Sequence, residues 1–487
     1  MSETPTDEEV PLRDRIAANP RPALRWLAGA AVLFALELGA FVGVVIQLVL
    51  TVARLVPSNP GASALVSAGE AVEAIPTLLS RSLIPNRGYQ TAGGEWMGTF
   101  LGLEPAYAWL LRVALIYAYA FAWLGWFWVG YRWFRGNYRY ADWTPRDDVV
   151  DRLRSHRWGQ FGFVLVLTFF IMALFAPALG PTTVEANIQE PYSHYTKYYD
   201  EELGSVQNVT VGTANLGSTS QGNPSSNVGP WSYDDYGRFH PFGTITNGKD
   251  LFTFMAAGAR ISLMIGLVSL LAAGSIATVL AMLTAYYKGL ADLATVITSD
   301  SIQSLPVLLV LILASAVFSS TWLANVYNGA VMLILIFSLT YWPFFWRSLR
   351  GPALQIAEEE WIDAAKSFGQ RPRIIMRKHM LPYVIGYLLI YASLTLGGII
   401  IAVAGLSYLG LGISPPTPEW GRVVSSGQPY VASVSWHISL IPGILITLIV
   451  VGFNALGDGI RDALDPQSEG AEGTDGGEAA VAGGGGA

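Results

Sequence analysis

Residues 243–250 come one position short of a phosphate-binding loop: Gly243, Gly248 and Lys249 fit the pattern GxxxxGK followed by Ser or Thr. In that pattern the glycines let backbone N–H groups approach phosphate, the lysine neutralises it and the final hydroxyl holds Mg²⁺. Here the final position is Asp250, whose carboxylate repels phosphate, and no apolar strand leads into the loop. The five histidines, His156, His194, His240, His379 and His437, lack metal-ligand spacing. With no cysteine, disulfides, thiolate metal sites and cysteine nucleophiles are excluded together. No GxSxG or other nucleophile–base motif is present. The expectation is a chain that is not an enzyme and carries no metal or cofactor of its own.

Chemistry of another kind lies in ions placed within apolar runs. Each costs on the order of 2.5–3.5 kcal/mol in a bilayer centre, so each needs a partner or a purpose. Glu37 and Arg112 are expected to pair with each other. Asp300, six residues before Pro306, is expected at a transport pathway or holding a helix break, not as a substrate ligand. A stand-alone secondary transporter or channel would show paired carboxylates or interrupted half-helices in inverted repeats. The sequence shows one core carboxylate and no such pairing.

A third chemical feature is the stretch Glu358 to Tyr383, EEEWIDAAKSFGQRPRIIMRKHMLPY, dense in charge although only 13% of the chain is charged. Acidic residues Glu358, Glu359 and Glu360 early and Lys366 late suit a helix from about 354 to 368, and Gly369 stands where a left-handed cap is expected. Pro372 suits the first turn of a second short helix, which Leu381-Pro382 should stop. Ala357, Trp361, Ala364 and Phe368 form one stripe. That stripe either rests on the protein's own helices or enters a partner's groove, and spacing alone leaves both open.

The elements around these residues follow from composition. Of 487 residues 52% are hydrophobic and 16 are Trp, and mean hydropathy is +0.41. Runs of roughly 20 apolar residues, the length a bilayer demands of a helix, occur near 27–52, 107–131, 158–179, 262–286, 294–318, 329–346, 384–406 and 438–456. The fold expected is an all-α, polytopic membrane bundle of about eight spans, because backbone amides in lipid must be satisfied within each segment. The arginines of 132–157 and of 347–378 mark both loops as cytoplasmic by the positive-inside rule. Both termini then lie inside and the segment from about 180 to 258 outside. Three zones result: 1–157 with two spans, 158–466 with six, and an acidic Gly/Ala-rich tail over 467–487. The outer segment suits a small irregular or β-containing cap.

Several ordered motifs then carry a family resemblance. Asp363-Ala364-Ala365, Gly369 and His379-Met380-Leu381-Pro382 resemble the EAA loop of ABC-transporter permeases. His240-Pro241-Phe242-Gly243-Thr244, Gly258-Ala259-Arg260-Ile261-Ser262-Leu263, Leu406-Ser407-Tyr408-Leu409-Gly410 and the stretch from Asn454 to Pro466 are similar to the dipeptide/oligopeptide/nickel branch. The resemblance covers roughly 158–466 and points to the second permease subunit of such systems, with an N-terminal extension. Asp363 for Glu, Ile245 for Asp and Lys249 for Arg are departures from the family pattern.

The resemblance implies a transmembrane subunit of an ATP-driven importer in the plasma membrane. It implies a homologous permease subunit, two ATPase subunits that hold ATP and Mg²⁺, an external solute-binding protein and membrane lipid as partners, and no nucleic acid. It implies ATPase coupling for Asp363, Ala364, Ala365, Gly369, His379, Leu381 and Pro382, joined by Trp361 and Phe368 of the stripe, within a loop of about 349–382. Asp300 and Pro306 are the pathway or structural candidates. Selectivity among dipeptides, longer peptides, nickel chelates or sugars is implied to lie largely in the binding protein.

Overall fold

The computed structural model describes residues 11–42, 46, 77–139 and 145–464. The expected tails, Asp465-Pro466 and the later part of the first expected span lie outside these residues. The chain divides into two compact units. One holds the N-terminal region with 177–218 and 230–241, the other holds 145–176, 219–229 and 242 onward.

In the first unit α1 (Leu12–Ala18) leads into α2 (Arg21–Leu36), which packs along α3 (Pro105–Asn137). Gly29 and Gly130 set that approach: a Cβ on either would overlap the ring of Trp126 or Trp26 across the gap. Tyr138, just past α3, closes the other end, its hydroxyl donating to Asn19 O at 2.7 Å and accepting from Ala23 N at 3.0 Å. Among its described residues the unit also holds three short antiparallel pairs: β1 (Tyr89–Gln90) with β2 (Trp96–Met97), β3 (Tyr195–Asp200) with β4 (Ser205–Thr210), and β5 (Ser232–Tyr233) with β6 (Phe239–His240).

Asp234 organises the last hairpin. Its carboxylate accepts from the backbone of Tyr236 and Arg238, from Arg238 Nε at 2.6 Å and from Ser218 Oγ at 2.9 Å. Burial alone would raise its pKa, but His240 and the Arg238 guanidinium hold it well below the usual carboxylate range.

The second unit begins with α4 (Pro145–Ser155) and α5 (Arg157–Leu174) and ends with α14 (His437–Leu464). Between them run α6 (Leu251–Tyr287), α7 (Gly289–Gln303), α8 (Val307–Phe318), α9 (Ala330–Ala357), α10 (Glu360–Ser367), α11 (Pro372–Ile375), α12 (Leu381–Tyr408) and α13 (Trp420–Gly427). Asp250 caps α6 by accepting from Thr253 N at 2.7 Å, so the near-phosphate loop is a helix entrance. Small residues set the α5–α14 seam. Gly159 meets Gly459 Cα, and a Cβ on Gly162 would overlap the backbone of Gly452 and Leu456. His156 caps α5 through Nδ1, which accepts from Gly159 N at 2.8 Å, and its Nε2 lies 3.0 Å from Asp462.

Among the described residues six helices are long and apolar enough to cross a membrane, and seven such spans exist if one bent pair counts as one. The chain is thus an all-α polytopic membrane protein, while the count of eight is not reached among the described residues. The first expected span begins in α2, whose 16 residues end at Leu36.

Two expectations about membrane ions and spans are corrected. Glu37 and Arg112 do not pair: Glu37 Oε1 accepts from Leu79 N at 2.7 Å, while Arg112 donates to Asn86 Oδ1 at 2.6 Å and Gly180 O at 2.7 Å. Non-helical segments passing each ion supply neutral partners, a backbone N–H for Glu37 and a side-chain amide oxygen with a backbone carbonyl for Arg112, so neither charge needs the other. The run 294–318 is two helices, α7 and α8, bent 84° apart. Pro306 disfavours helical backbone at Leu305 and itself stands at ψ 121, outside the helix.

Candidate functional site

Helix α10 is short, and everything about it is set by its two ends. Helix α9 stops at Ala357, with Glu358 at φ −97 and ψ 0 as its cap, because Glu359 turns extended at φ −68 and ψ 142, and Glu359 opens α10. The expected single helix from 354 to 368 is therefore corrected to the end of one helix and the whole of another. At the far end Gly369 takes φ +70, its N–H donating to Lys366 O at 2.9 Å and that of Gln370 to Ala365 O at 3.1 Å. This double bond pattern closes a helix only when a residue tolerates left-handed backbone, hence glycine.

The expected stripe splits. Ala357 is buried at the end of α9, and Trp361 is half-buried with Ile362 and Ala365 turned inward. These join Ala281 and Ala285 of α6, Trp346, Leu349 and Ala353 of α9, Ile375 of α11 and Val384 of α12 in one apolar cluster. Ala364 faces out, and Phe368 is 85% exposed. The break at Glu358–Glu359 parts Ala357 from the rest, and α10 then turns Ile362 and Ala365 inward, which leaves Ala364 on its outer side and Phe368 at its open end. Asp363 is exposed and ion-paired with Lys366 at 2.9 Å; the same Nζ lies 5.7 Å from the centroid of the Tyr286 ring.

His379 is brought onto the site from beyond the turn. Its Nε2 is 3.1 Å from Gln370 Oε1, and Trp361 packs between His379 and Tyr383 with ring centroids 6.2 and 5.4 Å away. Leu381 and Pro382 do not stop the second short helix. After α11 the backbone passes through a π-turn over Met376–Met380 and continues into α12, with Pro382 in its first turn. There the missing proline N–H costs nothing, and the wider π-turn relieves the clash with the preceding turn. Arg373, Ile374, Arg377 and Lys378 line a shallow concavity beside this passage. The exposed surface is thus a large aromatic on a capped helix next to a cationic rim.

Asp300 and Pro306 lie apart from this surface. Asp300, on α7, is 3.6 Å from Arg347 Nη1 on α9, and Pro306 stands at the α7–α8 bend. Asp300 belongs to a set of ion pairs whose other members sequence reasoning missed. Arg350 donates from Nε and Nη2 to Asp292 at 2.7 and 2.5 Å, and Lys288 meets Glu358 at 3.0 Å. Three ion pairs therefore tie α7 and its lead-in residue to α9 and the α9–α10 break. A signal was available: Asp292 and Asp300 lie eight apart and Arg347 and Arg350 three apart, each pair on one helical face.

A second missed residue is Glu419. It is fully buried and caps α13 by accepting from Arg422 N at 3.0 Å, and burial pushes its carboxyl up to about 7.

The sequence has clear relatives. A family model described as "Binding-protein-dependent transport system inner membrane component" matches residues 277–469, and "N-terminal TM domain of oligopeptide transport permease C" matches 144–198. The dipeptide transport system permease protein DppC of Alkalihalophilus pseudofirmus is 29% identical over 329 residues, 68% of this chain and 92% of that protein. The glutathione transport system permease protein GsiD of Pectobacterium atrosepticum is 36% identical over 243 residues, 48% of this chain and 78% of that protein. GsiD of Escherichia coli O1:K1 is 36% identical over 231 residues, 47% of this chain and 73% of that protein.

Proposed function

Because the chain belongs to the family of binding-protein-dependent transport system inner membrane components, we propose that it couples ATP hydrolysis on a separate subunit to import of peptides or related small solutes. It is a multi-pass transport subunit of an ABC importer and not an enzyme. The observation that carries the coupling reading is Phe368, 85% exposed on a short helix whose other face is anchored in the cluster shared by α6, α9 and α12. An aromatic presented at the end of a charged, water-facing helix beside a cationic rim fits the anchor of a docking surface. The neighbouring Arg373, Arg377 and Lys378 fit an acidic rim on the partner.

In this reading the arginine-rich side is cytoplasmic, as are both termini, and the ATPase subunits hold ATP and Mg²⁺ there. Closure of the two nucleotide domains pushes α10. Ile362, Ala365 and Trp361 pass the displacement to the ends of α6, α9 and α12, and the three ion pairs carry it to α7 and its bend with α8. A homologous permease completes the pathway, and an external solute-binding protein delivers peptide, in line with the dipeptide and glutathione named for the relatives.

Purification of the transport complex tests this. Wild type should retain the ATPase subunit and hydrolyse ATP in response to the loaded binding protein, whereas Gly369→Asp and Ala364→Arg should lose the subunit or the response. A wild-type chain that purifies without an ATPase and transports unaided would refute the proposal and favour a secondary transporter.

A further inference from the structure

The β3–β4 hairpin has an inner and an outer face. Its turn is closed by its own residues: Asp200 Oδ1 accepts from Glu202 N at 3.0 Å and Leu203 N at 3.1 Å, and Gly204 takes φ +59. The register pairs Thr196 with Val209, Lys197 with Asn208 and Tyr198 with Gln207. Thr196 is buried and Tyr198 meets the Tyr236 ring edge-on at 5.0 Å, so the even positions of β3 turn inward. Side chains alternate along a strand and opposed residues share a face. Lys197 and Asn208 therefore stand together on the outer face, and both are exposed.

Asn208 opens the triplet Asn208-Val209-Thr210, the pattern of asparagine, any residue but proline, then Ser or Thr that accepts N-linked sugar. Nowhere else in the sequence does that pattern occur, and the near miss Asn223-Pro224-Ser225 is spoiled by its proline. The other asparagines of 180–258 are engaged. Asn187 is buried, Asn215 Oδ1 accepts from Arg238 Nη1 at 2.8 Å and Asn227 Oδ1 from Ser435 Oγ at 2.8 Å. Asn223 Oδ1 accepts from Ser225 N at 3.1 Å and Asn247 Oδ1 from Lys249 N at 3.4 Å. The Asn208 carboxamide has no hydrogen-bond partner among the described residues and is open to solvent. Thr210, two residues on, is held at the foot of β4, its Oγ1 accepting from Thr213 N at 3.1 Å. A bulky group on Asn208 thus displaces no contact of the fold.

We propose that Asn208 is an N-glycosylation site, the acceptor of an oligosaccharide carried on a lipid phosphate. This rests on the reading above that places 180–258 outside the membrane. A separate transferase performs the step. Asn208 Nδ2 forms a bond to the anomeric carbon of the sugar and gives up one proton to a base of the transferase, while the bond from that carbon to the phosphate oxygen breaks and its electron pair leaves with the lipid phosphate. The attached sugar shares the outer face with Tyr195 and Val206, which are 66% and 42% exposed. It also shields the outer edge of β4, which pairs only with β3 among the described residues. Exposed apolar surface and an open strand edge both invite association in water, and a solubilising group between them opposes it.

The test takes the full chain from membranes of the organism that makes it. No Lys or Arg lies between Lys197 and Arg238, so one tryptic peptide, Tyr198 to Arg238, contains the site. Mass spectrometry should find carbohydrate on that peptide, and fragmentation should locate it on Asn208. Asn208→Gln and Thr210→Val should abolish the added mass, whereas Thr210→Ser, which keeps the hydroxyl, should retain it. A wild-type peptide that is wholly unmodified, or carbohydrate that persists in Asn208→Gln, overturns the site. Sidedness is read separately. The chain has no cysteine, so Leu203→Cys at the exposed hairpin tip offers a single thiol to a membrane-impermeant maleimide. Labelling on intact cells together with an unmodified wild-type peptide overturns the glycosylation alone. Labelling only after the membranes are opened overturns the outer placement, and the site with it.

Discussion

Trp26 and Trp126 exchange hydrogen bonds: each indole N–H donates to the other's backbone carbonyl, at 3.1 and 3.0 Å, and each ring lies over a glycine of the opposite helix. The clasp satisfies both indoles inside an apolar pair, where an unbonded N–H would be expensive. Replacing Gly130 with Leu should force the rings apart and cost about 1–3 kcal/mol, the usual scale of overpacking. The thermal midpoint of the purified chain measures it; an unchanged midpoint would show that the rings do not set the α2–α3 distance.

Phe368 should behave in the opposite way. Because it is exposed, Phe368→Ala should change stability by less than about 0.5 kcal/mol yet reduce ATPase retention sharply. Co-purification alongside a melting curve separates the two effects, and a parallel loss of both would reassign Phe368 to the fold.

Gly369 isolates backbone conformation from packing, since no atom lies within 4 Å of where its Cβ would be. Gly369→Ala should cost about 1 kcal/mol for left-handed backbone alone, and a β-branched residue more. Hydrogen exchange over α10 reads this directly, and equal protection in glycine and valine forms would contradict it.

Glu419 gives a pH dependence with a definite sign. Its carboxyl is raised from an ordinary 4.5 to about 7 by burial, so the folded state holds a proton that the unfolded state releases. The associated stability is fully present below about 4.5 and is lost as pH rises through about 7, amounting to at most about 3 kcal/mol. Glu419→Gln, which mimics the protonated form, should gain stability relative to wild type between pH 5 and pH 8. A difference that stays flat across that window refutes the assignment.

For the Arg350–Asp292 pair a double-mutant cycle is the proper measure. Both groups are partly exposed, with side-chain accessibilities of 36% and 20%, so a coupling of about 1 kcal/mol is expected despite the two-pronged geometry. Transport should fall more than stability if α7 must follow α9, and additivity in both readouts would release α7 from that role.

The spans, the Gly369 cap and the Pro372 helix start were legible because each rests on local chemistry: apolar length, left-handed backbone, a missing N–H. What the sequence concealed was direction. Trp361 and Phe368 share a helical period, but His379 and Tyr383 cover Trp361 while Phe368, at the cap where α10 ends, is left uncovered. Likewise Glu37 and Arg112 are complementary on paper, while the carbonyls and amides that satisfy them come from segments whose path no periodicity encodes. Asp292 and Arg350 were readable as charges and became a pair only once α7 was seen to bend away from α8.

The α5–α14 seam has a consequence for how the protein is made. Gly159 and Gly459 touch across about 300 residues of sequence, so the first membrane-length helix of the second unit, α5, finds its main neighbour only when the last is synthesised. Closing so long a loop adds little entropy beyond a shorter one, but it imposes a wait. During translation α5 stays in the bilayer with its glycine face against lipid, and a ribosome stalled before His437 leaves that face open. Crosslinking between positions 159 and 459 on arrested and completed chains should therefore appear abruptly at the end of synthesis, which makes completion of the polypeptide the event that seals the bundle.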